Sequence, residues 1–176
     1  MAYLVRKISR SRFHKITHTE NIQDIDADIV SNDLRTSKNC LSTWKADTTE
    51  DIENAILAIA STSDHLETMS FLLFDEAQLA EKELDFEGER DSSCPVEDLA
   101  NLHTNIRSLS YKKIGDVLCI VKQLPNTRVI LRTKQEISTM ITNAKENGRL
   151  NVLLLKEDVM KYISPIDYSR LYPKEK

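Results

Sequence analysis

Glycine is scarce in this chain. Three glycines in 176 residues compare with about 12 expected at an average usage of roughly 7%. Gly88, Gly115 and Gly148 stand far apart. Loops that cradle phosphate need clustered glycines, so that backbone amides can close on the anion. Neither G-x-x-x-x-G-K-[ST] nor G-x-G-x-x-G occurs, which excludes the standard nucleotide loops. Long apolar runs are missing too. None approaches the roughly 18–20 residues that cross a bilayer, so no membrane partner is expected. The first eight residues are too short and too charged for a secretory signal. Cysteine is sparse and odd in number: Cys40, Cys94 and Cys119 are widely spaced. They make neither a disulfide framework nor a zinc knuckle, and they point to a reducing, cytoplasmic setting. No H-E-x-x-H, Ser-His-Asp or Cys-His set has local support, so no catalytic cofactor is assigned.

What is present is a chain with 40% apolar and 30% charged residues, long enough to bury about 70% of its unfolded surface. One globular domain over 1–164 is expected, with an acidic hinge at 81–94 and a tail at 165–176. The dominant pattern runs from Pro95 to Leu124. Val96, Leu99, Leu102, Ile106, Leu109, Ile114, Val117, Val121 and Leu124 recur mostly three or four apart, one stripe of an α-helix. Pro95 suits the first helical turn. Thirty residues would make a rod of about 45 Å, longer than such a domain needs. Either Gly115 bends it, or the stripe at Leu99, Leu102, Ile106 and Leu109 faces another chain.

A β-α-β unit spans 41–74. Leu41–Ala46 has strand character, and its sole tryptophan, Trp44, reads as a core anchor. Thr48 and Asp51 make a capping box for a helix with Ile52, Ala55, Ile56 and Ile59 inward. Met69–Phe74 is an almost unbroken apolar run, as in a strand covered on both faces. The connection is long enough for a right-handed parallel crossover. Beyond 125, Thr127–Arg132 can form a short strand. Thr133 and Glu136 make a second capping box, and Asn147-Gly148 a left-handed stop. Asn151 caps a last helix ended by Ser164-Pro165. The fold class is α+β, with α/β as the alternative: a small mixed sheet and a helical C-terminal half built on the helix over 95–124.

The acids offer one chemical reading. Phe71–Gln78 resembles a Walker B strand, in which the aspartate holds Mg²⁺ and the glutamate polarises water. On that resemblance Asp75 and Glu76, with Asp47 from the neighbouring strand end, are the catalytic candidates of a Mg²⁺-dependent hydrolase or nuclease. The plainer reading makes Asp75 a helix cap, with Glu76 at the positive end of the helix. Acids alternate at Glu81, Glu83, Asp85, Glu87, Glu89 and Asp91. A Ca²⁺ loop counted from Glu83 puts Cys94, not glutamate, in the bidentate position, so no metal is assigned there.

The bases offer another. Residues 1–18 hold Arg6, Lys7, Arg10, Arg12 and Lys15 and no acid. An extended segment would put Arg6, Arg10, Arg12 and His14 on one face, with Phe13 free to stack. Arg6, Arg10, Arg12 and Lys15 are therefore the nucleic-acid candidates, set against an edge strand guarded by charge. His14 and His18, four apart, lack a third metal ligand beyond Glu20. A helix-turn-helix over 134–163 is diluted by Glu136 and Glu146. Taken together, these features favour a non-catalytic interaction or regulatory subunit of a larger cytoplasmic assembly, binding a protein partner or a second copy. The hydrolase and a nucleic-acid-binding accessory protein are the alternatives.

Overall fold

The central strands of this protein have to satisfy two cores, and that requirement sets the architecture. In the computed structural model, which describes residues 2–173, six strands form one antiparallel sheet. They are β1 (Tyr3–Ile8), β2 (Leu41–Ala46), β3 (Met69–Asp75), β4 (Phe86–Gly88), β5 (His103–Ile106) and β6 (Val129–Arg132), in the order β4-β5-β2-β1-β3-β6. Helices α1 (Arg10–His18), α2 (Ala27–Asp33), α4 (Glu76–Glu81) and α5 (Tyr111–Gln123) accompany the second core, and α3 (Thr49–Ser61), α6 (Lys134–Glu146) and α7 (Glu157–Ile163) the first. A last helix, α8, spans Pro165–Leu171. The fold is α+β. Residues 174–176 of the tail lie outside the described residues.

Side chains of a strand alternate between faces. Along β3, Met69, Phe71 and Leu73 enter the first core, while Leu72 and Phe74 enter the second. Val5 and Leu4 of β1 divide the same way. This is why Met69–Phe74 is apolar apart from Ser70. The covered strand is antiparallel, however, and the sheet is not mixed. β2 and β3 run in the same direction at the two ends of α3, but β1 lies between them and pairs antiparallel with both (Tyr3 with Ala46, and Tyr3 with Asp75). The expected direct parallel pairing is corrected accordingly: an upstream strand fills the gap.

The helix expected over 95–124 is also corrected. Glu97–Leu102 is a 3-10 turn, His103–Ile106 is β5 on the edge of β2, and only Tyr111–Gln123 is α-helical. Ser108 takes a left-handed backbone (φ 54°). Ser110 then caps α5 by accepting a hydrogen bond from the Lys113 amide. The stripe's spacing is shared between two cores. Val96 and Leu99 fill the first, and Ile106, Leu109, Val117, Val121 and Leu124 fill the second. Gly115 is inside α5 and does not bend a longer rod. The basic segment is not extended either: it turns into α1 after Ile8, and Phe13 and Ile16 are buried rather than free to stack.

The signals at helix ends fare better. Both capping boxes form, with Thr48 and Thr133 accepting from the amides of Asp51 and Glu136, whose carboxylates accept from the cap amides in return. Gly148 (φ +70°) closes α6 in the left-handed conformation. Asn151, by contrast, caps only the 3-10 turn Val152–Leu154, and Pro165 opens α8 instead of ending structure.

Two expectations follow. A Cβ on Gly115 would meet nothing within 4 Å, so Gly115→Ala should stabilise the protein by about 0.5–1 kcal/mol in urea denaturation. The hydroxyl of Thr48 and then its amide hold the Asp51 carboxyl below its usual value of 3.8, and the amide and hydroxyl of Thr133 hold Glu136 below 4.5. Depressed carboxyls support folding above those values and lose that support as pH falls through the folded-state values. Melts between about pH 6 and pH 2 should show Asp51→Asn and Glu136→Gln less stable than the unaltered protein at the upper end, with the difference closing as pH falls.

Candidate functional site

Arg6 points from β1 into the second-core side of the sheet, between Leu4 and Ile8. Its Nε donates to the backbone carbonyl of Asp33 at 2.8 Å, and Nη1 donates to that of Ser42 at 2.6 Å. Burial pulls this guanidinium down to about 10, opposed by the charge of Asp33, so it stays protonated at neutral pH. Arg6 thereby ties the C-terminal end of α2 to the sheet. Asp33 answers through Oδ1, which accepts from the Ser9 amide at 3.3 Å and from Arg12 Nη1 at 3.2 Å. Its side chain is only 10% exposed. Its other oxygen, Oδ2, is buried and receives no hydrogen bond among the described residues.

These residues form one wall of a cleft of about 590 Å³. Lys7, Ser9, Arg10 and Arg12 lie on the β1–α1 side; Glu67, Thr68 and Ser70 lead into and along β3; Leu131 of β6 adds an apolar rim. Lys7 pairs with Glu67 at 2.7 Å. Arg10 makes no ion pair among the described residues, and α1 has no acid in its first turn. Of the four nucleic-acid candidates, the fold gathers Arg6, Arg10 and Arg12 here. Lys15 goes elsewhere, pairing with Asp26 at 3.1 Å beside a separate depression that includes His18 and Asp24. Asp33, Glu67 and Ser70 were not legible as parts of a site, since each comes from a different stretch of chain and carries no local motif.

The acids at the sheet end do come together, because β2 and β3 finish at the same end on either side of β1. Each meets a cation. Asp75 caps α4 by accepting from the Ala77 amide at 3.0 Å, and its other oxygen lies 3.8 Å from Arg128. Arg128 in turn stacks over Tyr3, 4.7 Å from the ring centroid, and donates to its hydroxyl at 2.6 Å. Lys45 sits between Asp47 at 3.8 Å and Glu76 at 3.7 Å. The latter distance is an ion pair without a hydrogen bond, and Glu76 Oε1 accepts none among the described residues. Among the described residues, no group of three or more histidines, cysteines or acids is placed to hold a metal ion. Asp75 is a helix cap, and Asp75, Asp47 and Glu76 each lie within ion-pair distance of Arg128 or Lys45.

The expected partner-facing stripe is spent inside the fold. Leu99, Ile106 and Leu109 are buried, and Leu102 packs against the first core. Burial pushes the Cys94 thiol up to about 11, which leaves it protonated and unreactive at neutral pH. Among the described residues no helix is long and apolar enough to cross a membrane. No protein-family model, curated protein or solved structure matches the chain.

The cap reading of Asp75 has a direct check. Asp75→Ala should cost about 1 kcal/mol of stability through loss of the cap. Thermal melts of the unaltered protein with and without millimolar Mg²⁺ or Mn²⁺ should superimpose; a metal-dependent rise abolished by Asp75→Ala would favour the hydrolase reading instead.

Proposed function

We propose that the protein is a non-catalytic interaction subunit that binds a protein partner through its C-terminal helical segment. The supporting observation is where large apolar side chains meet solvent. Eight are exposed among the described residues, and six of them, Leu153, Leu154, Tyr162, Ile166, Leu171 and Tyr172, fall within the last stretch of chain. Isolated exposed leucines are ordinary, but a concentration of this kind is the usual mark of an interaction surface. Aromatic side chains at such a surface bury much area at low entropic cost.

The segment is held firmly enough to act as a surface. Ser164 and Lys145 hydrogen-bond at 2.8 Å, and Ser164 also donates to Asp167, so the junction of α7 and α8 is tied to α6. Tyr168 packs against the first core, stacks on Tyr172 with ring centroids 5.0 Å apart, and donates to Glu157 at 3.0 Å. That hydrogen bond to the carboxylate raises the Tyr168 phenol above its ordinary range. Val159, Met160 and Ile163 meanwhile anchor α7 inward. The anchored side belongs to the fold, and Ile166, 70% exposed, and Leu153, 64% exposed, are left over. This reading keeps the interaction role and moves its surface from the 99–109 stripe to the C-terminal helices.

The test compares the unaltered protein with Leu153→Asp plus Ile166→Asp. Both positions are solvent-facing, so melting temperature should hardly change. Light scattering and affinity capture should show a second copy or a stoichiometric partner with the unaltered chain and not with the double variant. A concentration-independent monomer whose captured proteins are the same in both forms would overturn the proposal.

A further inference from the structure

Ser42 of β2 and His103 of β5 belong neither to the C-terminal surface nor to the lining of the basic cleft. Their strands pair antiparallel, with Ser42 opposite Asn105 and Trp44 opposite His103, so Ser42 and His103 are diagonal neighbours on one face of the sheet. Ser42 Oγ lies 2.7 Å from His103 Nε2, and His103 Nδ1 lies 2.8 Å from the carbonyl oxygen of Glu89. The structure assigns Ser42 as a nucleophile that takes the acyl group of a small ester, with His103 as its general base.

The tautomer of the ring follows from its neighbours. A carbonyl oxygen only accepts, so the ring nitrogen facing Glu89 holds a proton. In the neutral ring Nε2 is then the lone-pair nitrogen, and the Ser42 hydroxyl donates to it. A serine nucleophile requires this polarity: the base faces Oγ, and a third group orients the base from its far side. Here a backbone carbonyl does the orienting. Two further contacts brace it. The Glu89 amide donates to the His103 carbonyl at 3.0 Å, and the imidazole meets the buried Trp44 edge-on, with ring centroids 5.3 Å apart. Ser42 and His103 are 61 residues apart in the chain, which is why no local motif announces them.

Ser42 is exposed and lines a pocket of about 240 Å³ together with Arg35, Lys38, Glu89 and Asn105. Neither Arg35 nor Lys38 makes an ion pair among the described residues. The acid of the pocket is engaged, since Glu89 Oε2 accepts from Asn105 Nδ2 at 2.6 Å. The pocket therefore holds spare positive charge, which favours the negative oxygen that forms when the carbonyl of an ester is attacked. A tight turn carries Lys38: the Ser37 amide donates to the Cys40 carbonyl at 3.0 Å, the Cys40 amide donates back at 2.9 Å, and Lys38 and Asn39 are both left-handed (φ 52° and 60°). A lysine takes that backbone only where its surroundings impose it. The volume falls below the roughly 300–1,000 Å³ of drug-sized sites, which limits the acyl group to a short chain.

The step balances without a cofactor. Oγ attacks the acyl carbon and its proton moves to Nε2. The bond from that carbon to the leaving oxygen then breaks, and the leaving oxygen takes the proton from Nε2. The products are O-acyl-Ser42 and the free alcohol. This covalent modification goes beyond the interaction role and stands beside it, because the C-terminal helices take no part.

Reaction of the full chain with p-nitrophenyl acetate at neutral pH tests this. Peptide mass mapping should find acetyl on Ser42 well ahead of Ser31 and Ser92, which are also exposed. His103→Gln should slow acetylation of Ser42 by about 10²-fold or more, the usual worth of a general base, with a thermal melt to show that the variant is folded. Ser42→Ala, an exposed change, should remove the fast phase of nitrophenolate release and leave only the slow background from lysines and other histidines. Ser42 acetylated no faster than Ser31 and Ser92 overturns the assignment, as does nitrophenolate release unchanged by Ser42→Ala. Undiminished labelling of Ser42 in folded His103→Gln also overturns it; if that variant unfolds, the Ser42→Ala comparison decides.

Discussion

Both faces of one antiparallel sheet are covered, and the rest of the molecule depends on that covering. A strand at the centre of such a sheet has no wet side, so its whole length must be apolar or internally paired. β3 meets the demand with Met69–Phe74. β1 meets it with Leu4, Val5 and Ile8, and departs from it at Arg6 and at Lys7, which pairs with Glu67. A buried guanidinium is tolerated only where its donors are met, and Arg6 meets them with two backbone carbonyls and the nearby charge of Asp33. Arg6 thereby ties the last residue of α2 to the sheet beside the basic cleft described above.

The local grammar of the chain was legible in proportion to how local the physics is. Capping boxes at Thr48 and Thr133 and the stop at Gly148 depend on neighbours within a few residues, and they stand as the pattern predicts. The α+β class also follows from those elements. The rod over 95–124 failed because spacing of three and four is the product of two different demands here. Val96 and Leu99 answer one core and Ile106 onward the other, and the switch occurs through the short strand His103–Ile106, in which Thr104 and Ile106 favour extended backbone. The serine run around Ser108 and Ser110 was the available sign of a break.

The site was legible only in halves. A cluster of bases without acids marks 6–15 in the sequence, but nothing there shows that Lys15 turns away while Asp33, Glu67 and Ser70 arrive from later segments. The acids of Asp75-Glu76 were visible as a motif, but their ion pairs with Arg128 and Lys45 were not. In both cases a long-range neighbour decides what a local pattern does, and pairing partners separated by dozens of residues leave no trace in spacing.

The central position of β1 bears on how the chain assembles during synthesis. β1 emerges before either strand that flanks it, and α3 must be laid down between the arrival of β2 and that of β3. For several seconds, at roughly 5–20 residues per second, the ribosome-bound chain therefore displays an apolar ribbon with one ladder unfilled. The cationic side chains that follow it at once, in α1, repel like segments on neighbouring nascent chains during that interval.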